Sequence, residues 1–324
     1  MRAVMCRELT GPEGLTVEEI ADPVAGEGDV VVRVDAASMN FLDYLITLGR
    51  YQVKPELPFT PGAEGAGVIE SVGAGVDAGL IGQKVLFWTQ VGAFAEKLVL
   101  PAMRTVPLPD HVSTEAAAAL TITYGTTLHA LADRGQMQAG ETLLVLGAAG
   151  GVGLAAIHVG KAMGARVIAA ASSDEKLKSC KDAGADVVIN YSNGDLRTLL
   201  KDAGLYGKID VVYDPVGGDY SVPALRAMAP GGRLLVIGFA AGGIPEVPLN
   251  MCLLAQVSVV GVFFGAWALA NPKGYARVMG QLFDWIKDGS ITPHVGGRYS
   301  LDEIESAYSD LTGRKAIGKL LVVP

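Results

Sequence analysis

The chain has 324 residues, more than one ordinary hydrophobic core holds, so two domains are expected. Half of the residues are apolar and 19% are charged, which fits a globular protein, and the net charge of −8 argues against nucleic acid or an anionic membrane as the main partner. No segment has the uninterrupted apolar length of a membrane span.

Met1–Glu8 reads as a strand and lacks the layout of a signal peptide. The cysteines, Cys6, Cys180 and Cys252, are too far apart for a disulfide framework or a zinc spacing, so a reducing, cytoplasmic setting is expected. Residues 1 to about 110 are β-rich: "DVVVRVDAASM" is a strand, "FTPGAEGAGVIESVGAGV" is turn, strand and turn, and "GQKVLFWTQVGAFAEKLVL" gives further strands broken by glycine. Ser113 and Thr114 then cap a predicted helix, "EAAAALTITYGTTLHALADRG", that stops at Gly135.

From Glu141 short apolar strands alternate with helices. "TLLVLGA" precedes "GLAAIHVGKAMG", "RVIAAAS" precedes "DEKLKSCKDAG", and "ADVVIN" precedes "DLRTLLKDAG"; "IDVVYDPVG" and "GRLLVIGFA" complete the series. Helices ending at Gly164, Gly184 and Gly204 follow the glycine C-cap rule. This alternation predicts βαβ units and a parallel sheet. The apolar run "VSVVGVFFGAWALA", interrupted by glycine, reads as a buried strand. "NPKGYARVMGQLFDWIKDG" is a helix with an Asn-Pro start, "GGRYSLDEIESAYSDLTG" is strand, Ser300 cap and helix, and "GKLLVVP" is a last strand expected to return to the first domain.

"LGAAGGVG", Leu146–Gly153, joins a buried strand to a helix, the context a dinucleotide-binding turn requires. Gly150 and Gly153 fill the second and third glycine slots, and Ala148 stands in the first. Ala149, Gly150, Gly151 and Val152 are therefore expected to hold a pyrophosphate at the helix N-terminus. The next strand lacks the usual acid for a ribose 2′-hydroxyl; Ser172 and Ser173 stand there, with Lys176 a turn further on. Hydroxyls plus a lysine suit a 2′-phosphate, hence NADPH, although Asp174 and Glu175 work against it unless they point away. Lys176 also reads as a plain surface lysine. Tyr191 either covers the same phosphate or is an edge-strand aromatic.

The segment "LVLGAAGGVGLAAIHVGKAMGARVIAAASSDEKLKSCKDAGADVVINY" resembles the cofactor-binding part of the medium-chain dehydrogenase/reductase superfamily. "AASMNFLDYLITLGRY", "LPFTPGAEGAGVIESVG" and "GRKAIGKLLVVP" are similar to its zeta-crystallin-like quinone oxidoreductase branch, so the resemblance covers the whole chain. It implies an α/β fold: a β-rich GroES-like catalytic domain from residues 1–122 and 266–324, and a Rossmann doubly wound parallel-sheet domain from residues 123–265. It also implies a homodimer joined through the edges of the Rossmann sheets, with "SVVGVFF" as the joining strand.

Alcohol dehydrogenases of that superfamily hold a catalytic zinc through a cysteine where this chain has Asn40 and a histidine where it has Ala63. Neither supplies a good ligand, and the four-cysteine structural lobe is missing, so no metal is expected. The chemistry that remains is hydride transfer from NADPH to an already electrophilic acceptor, a quinone first. An enal, enone or enoyl thioester is the close alternative, with Arg50 and Lys54 as cationic candidates for a thioester's CoA. A non-catalytic NADPH-binding sensor or structural protein is the alternative of another class.

The resemblance places Asn40 near the nicotinamide, its amide meeting a cofactor or substrate carbonyl; it also reads as the cap of the next helix. Tyr44 and Tyr51 either line the pocket, one donating a proton, or pack the core. The branch often has a tyrosine where this chain has Leu45. Thr126 resembles the threonine near the cofactor ribose, or simply bonds its own helix. Phe239, Phe264 and Trp267 form an apolar wall or belong to the core, and Arg314 with Lys315 reaches the cofactor or sits in a solvated loop.

Overall fold

The structure is a computed structural model describing residues 1–324. It divides into two compact units, residues 1–122 with 293–324, and residues 123–292. The later division lies at 292/293, because the helices within residues 264–287 pack within the second unit.

In the first unit, β1 (Arg2–Cys6) pairs antiparallel with β2 (Leu15–Glu19). The eleven-residue β3 (Asp29–Met39) is the spine of the larger sheet. Asn40 ends it and α1 (Phe41–Thr47) begins at once, so any group on Asn40 is held by a strand on one side and a helix on the other. β4 (Glu64–Val72), β5 (Lys84–Trp88), β6 (Lys97–Pro101) and β7 (Thr105–Pro107) follow. The Ser113 hydroxyl accepts the Ala116 N–H at 3.2 Å to cap α2 (Thr114–Ala118), as the sequence predicts.

Beyond α2 the chain stays helical to Arg134, but its turns widen to π spacing at Leu120–Gly125 and His129–Arg134 around a short α3 (Thr126–Leu128). The second unit then alternates as read: β8 (Thr142–Leu146), α4 (Gly151–Ala162), β9 (Arg166–Ala171), α5 (Asp174–Asp182), β10 (Val187–Asn190), α6 (Leu196–Asp202), β11 (Ile209–Asp214), α7 (Ser221–Arg226) and β12 (Met228–Val236). α8 (Leu249–Ala255) leads to β13 (Ser258–Gly261). All neighbours in this sheet are parallel, in the order β10-β9-β8-β11-β12-β13. Counted within the unit this is 3-2-1-4-5-6, the doubly wound order whose switch point lies between β8 and β11.

The run expected as one buried strand is two elements. Only Ser258–Gly261 is strand, and as the sheet edge it is largely exposed. After Val262 and Phe263 the alanine-rich remainder is α9 (Phe264–Ala270), in keeping with the helix propensity of alanine. Asn271 accepts the Gly274 N–H at 3.0 Å and Pro272 opens α10 (Pro272–Lys287). Its buried face, Tyr275, Val278, Met279, Leu282 and Phe283, has the spacing of one helix stripe. A Cβ on Gly125 would lie 2.8 Å from Phe264 and 3.0 Å from Met279, and Arg277 pairs with Asp133 at 2.8 Å. α9 and α10 thus bury themselves in the second unit, which carries its boundary past them.

β14 (Val295–Tyr299), α11 (Ile304–Thr312) and β15 (Lys319–Val322) complete the first unit. Its sheet order is β14-β15-β3-β4-β5-β7, with β6 also pairing β3. β15 runs antiparallel to β3 with Leu320 opposite Met39, so the C-terminal strand returns as expected and sets Lys319 beside Asn40.

Candidate functional site

In the second unit the glycine turn sits at the carboxyl end of β8. Gly147, not Ala148, takes the left-handed backbone (φ 58°), with its Cβ position only 2.8 Å from Val216 on the facing loop. A Cβ on Gly153 would lie 2.4 Å from the Gly147 carbonyl oxygen, so this glycine lets α4 pack on the turn. Gly150 is the N-cap of α4 and offers no side-chain cap, leaving the N–H groups of the first turn, from Gly151 and Val152, to a ligand. Ala149 lies buried in the turn.

At the end of β9, Lys176 Nζ is 3.3 Å from Ser172 Oγ. Ser173 caps α5, its Oγ accepting the Lys176 N–H at 3.3 Å. Asp174 is turned aside: its carboxylate accepts from the Asn190 amide at 2.8 Å. The acid that competes with a 2′-phosphate reading is thus engaged toward β10. Tyr191 follows β10 with its ring 4.7 Å from that of Tyr220. Phe239 is partly exposed and lies over Gly217, where a Cβ would come within 2.9 Å of its ring. Thr126 is half-buried, whereas the adjacent Thr127 is buried and hydrogen-bonded to Tyr213 at 2.9 Å.

Phe264 is buried in an aromatic cluster with His129, Trp267 and Tyr275, and His129 stacks on Trp267 at 4.0 Å. Sequence reading overlooked Asp214, buried at the end of β11. It accepts the N–H groups of Val216 and Gly217 at 2.9 and 2.8 Å and the Ser221 hydroxyl at 2.5 Å, fixing the loop across the switch point. The "YDPVG" string was the available signal.

In the first unit Asn40 is buried and its amide is fully engaged. Nδ2 donates to the Ser38 carbonyl at 3.2 Å and to Glu64 Oε1 at 3.0 Å, and Oδ1 accepts from Lys319 Nζ at 2.6 Å. Its backbone N–H donates to Asp43 Oδ2 at 2.7 Å, so Asn40 also begins α1. Glu64, Asp43 and Lys319 were missed in the sequence. Burial pushes the Asp43 carboxyl up to about 7, against the pull of the Asn40 N–H and the Lys319 charge. Tyr44 and Tyr51 pack half-buried on the first unit's core, and neither hydroxyl enters this network. Burial, then the Asp43 charge, raises the Tyr51 pKa, which keeps the phenol protonated. Arg314 follows α11 with a left-handed backbone (φ 56°), exposed, as is Lys315.

The second unit therefore fits a dinucleotide phosphate: an uncapped helix N-terminus, a turn with glycine at 147, 150 and 151, and a lysine with a serine at the adjacent strand end. The first unit's donor set does not fit zinc. Ala63 offers no ligand atom, and at Asn40 the oxygen faces an ammonium 2.6 Å away, which repels a cation.

A β-rich unit from both chain ends, with a Rossmann unit between them in sequence, defines a two-domain oxidoreductase of the medium-chain dehydrogenase/reductase class. The profile described as zinc-binding dehydrogenase matches residues 151–283, and the alcohol dehydrogenase GroES-like domain matches residues 26–110. The chain is 38% identical to quinone oxidoreductase-like protein 2 of Mus musculus, covering 99% of this chain and 91% of the relative. It is 34% identical to a quinone oxidoreductase of Pseudomonas aeruginosa, covering 97% of each. The crystal structure of Escherichia coli quinone oxidoreductase complexed with NADPH superposes with a TM-score of 0.92 at 30% identity, over the full length of both chains. The chain belongs to the zinc-free quinone oxidoreductase branch of that superfamily, a family of NADPH-dependent oxidoreductases.

Proposed function

We propose that this protein transfers hydride from NADPH to a quinone without a metal. The observation that carries the cofactor choice is the end of β9, where Lys176 and Ser172 stand together while Asp174 is held by Asn190. The relatives named quinone oxidoreductase support the acceptor class. Bound NADPH supplies the hydride. The Gly147–Gly153 turn and α4 hold the pyrophosphate, with Lys176, Ser172, Ser173 and Tyr191 at the 2′-phosphate and Thr126, Phe239, Phe264 and Arg314 as further cofactor contacts. Asn40 fixes the start of α1. Tyr44 or Tyr51 hydrogen-bonds the acceptor oxygen and delivers its proton, because both protons of the Asn40 amide are spent within the chain.

The test is the initial rate of NADPH oxidation, in chelator, with a quinone and an enone or enoyl thioester as parallel acceptors. Chelator-insensitive turnover of the quinone is expected. Turnover of the alkene alone would move the protein to alkene reduction. Tight NADPH binding with neither acceptor turned over would leave a non-catalytic binding protein. We also propose a homodimer through the exposed edge strand β13.

A further inference from the structure

Lys319 and Glu64 are separated by 255 residues, yet their side chains meet at 3.1 Å and are only 4% and 1% exposed. Lys319 has three protons, and each has a partner: the Met39 carbonyl at 3.0 Å, Asn40 Oδ1 at 2.6 Å and Glu64 Oε1 at 3.1 Å. Glu64 accepts four bonds. Ser38 Oγ (2.5 Å), Asn40 Nδ2 (3.0 Å) and Lys319 Nζ (3.1 Å) share Oε1, and the Ile122 N–H reaches Oε2 at 2.7 Å. The network is closed, tying the end of β3 to the starts of β4 and β15 and to Ile122.

We infer that Lys319 and Glu64 are positioning residues for hydride transfer, fixing a single orientation of the Asn40 amide and the junction from which α1 carries Tyr44. The inference rests on the reading of the protein as an NADPH-dependent reductase. An ammonium only donates and a carboxylate only accepts, so Oδ1 must face Lys319 and Nδ2 must face Glu64; the amide cannot turn over. A buried ion pair is weak ground for stability, since apolar replacements are often neutral. What such a pair supplies that an apolar pair cannot is this orientation. The ammonium lies against Asn40, the position where the resemblance expects a zinc ligand in the zinc-dependent relatives, and it has no proton left for a substrate.

The experiment compares wild type with the double variant Glu64→Gln/Lys319→Met, which removes both charges together; Lys319→Met alone would strand a buried carboxylate. The readouts are kcat with a quinone, the Kd for NADPH, and the isotope effect on kcat with NADPH deuterated at C4. Misplacement of about 1 Å at a reacting centre costs on the order of a hundredfold. A fall in kcat of about 10- to 100-fold is expected, with Kd within about threefold and a larger isotope effect as hydride transfer becomes rate-limiting. Wild-type kcat and isotope effect in a folded double variant would overturn the inference. So would a lower kcat with an unchanged isotope effect, which reports only fewer active molecules.

If the wild type reduces no acceptor, the proposed function fails. The part of the inference that then remains, the fixed Asn40 amide, is judged by the side-chain amide resonances of Asn40, assigned by their loss in Asn40→Asp. Slow proton exchange in the wild type supports it, and exchange as fast as that of an exposed asparagine overturns it. The same wild-type measurement decides if the double variant does not fold.

Discussion

Burial takes Asp43 out of water, and its two oxygens fare differently. Oδ2 accepts the Asn40 N–H at 2.7 Å, while Oδ1 has no partner, as is also true of the buried Tyr308 hydroxyl. Lys319, Glu64, Tyr51 and Tyr308 are the titratable groups coupled to it, and one ammonium shared with Glu64 does not offset the desolvation of a second carboxylate. With the carboxyl raised to about 7 from an unfolded value of about 4, the folded state keeps a proton that the unfolded state loses. This contribution to stability is therefore present below about pH 4 and is lost as pH rises to about 7, at up to about 1.4 kcal/mol per unit. Asp43→Asn keeps an acceptor for the Asn40 N–H and removes the titration. Urea midpoints between about pH 5 and 8 should fall with pH more steeply in wild type than in the variant; parallel curves would refute the account. A second residue, Lys176, tests cofactor choice. Lys176→Ala should raise the Kd for NADPH about 10- to 100-fold, the worth of one charge-assisted contact, and leave NADH binding unchanged by fluorescence titration. Lys176 was legible because a motif fixes its distance from the glycine turn. Lys319 was not, because a lysine before "LLVV" reads as the solvated end of a strand and its partner lies 255 residues away.

The β8–turn–α4 element shows how two glycines differ in duty. At Gly153 a Cβ would meet backbone, 2.4 Å from the Gly147 carbonyl oxygen and 2.6 Å from Ala148, and backbone cannot swing aside. At Gly150 it would lie 3.5 Å from the same oxygen, an ordinary contact, on a φ of −73° that alanine adopts freely. Gly153→Ala should lower the unfolding free energy by about 1–3 kcal/mol, seen as a lower urea midpoint at unchanged slope. Gly150→Ala should unfold as wild type does yet bind NADPH more weakly, because its methyl stands where the pyrophosphate approaches. Equal stability losses in the two variants would show that neither glycine serves the ligand. Elements of this kind were readable, since strand, glycine turn and helix follow one another within a few residues. "VSVVGVFFGAWALA" was misread because apolar runs look alike as strand or helix; what separates them here is the edge position of β13 and the packing of Phe264 against Gly125.

At the scale of the whole molecule, the parallel sheet has to end somewhere. One end is β13, four residues long, with no strand beyond it; of its outer backbone groups the Gly261 carbonyl accepts from Arg134 Nε at 3.1 Å. Val259 is 43% exposed on it and Phe263, just beyond, is 59% exposed. Leu249, Leu253 and Leu254 of the preceding α8 are also exposed. A lone open edge with this much apolar surface is a pairing hazard, and a second copy related by a two-fold axis resolves it with the same residues on both sides. Light scattering after size exclusion should therefore give twice the chain mass for wild type and the chain mass for Val259→Lys, whose charge on each β13 would face its own copy. Because β11 and β12 separate β13 from β8, the monomeric variant should keep its affinity for NADPH, while its unfolding midpoint should lose the dependence on protein concentration that a dimer confers. A wild type that stays monomeric at tens of micromolar would refute the dimer and leave the edge to be protected by its shortness alone.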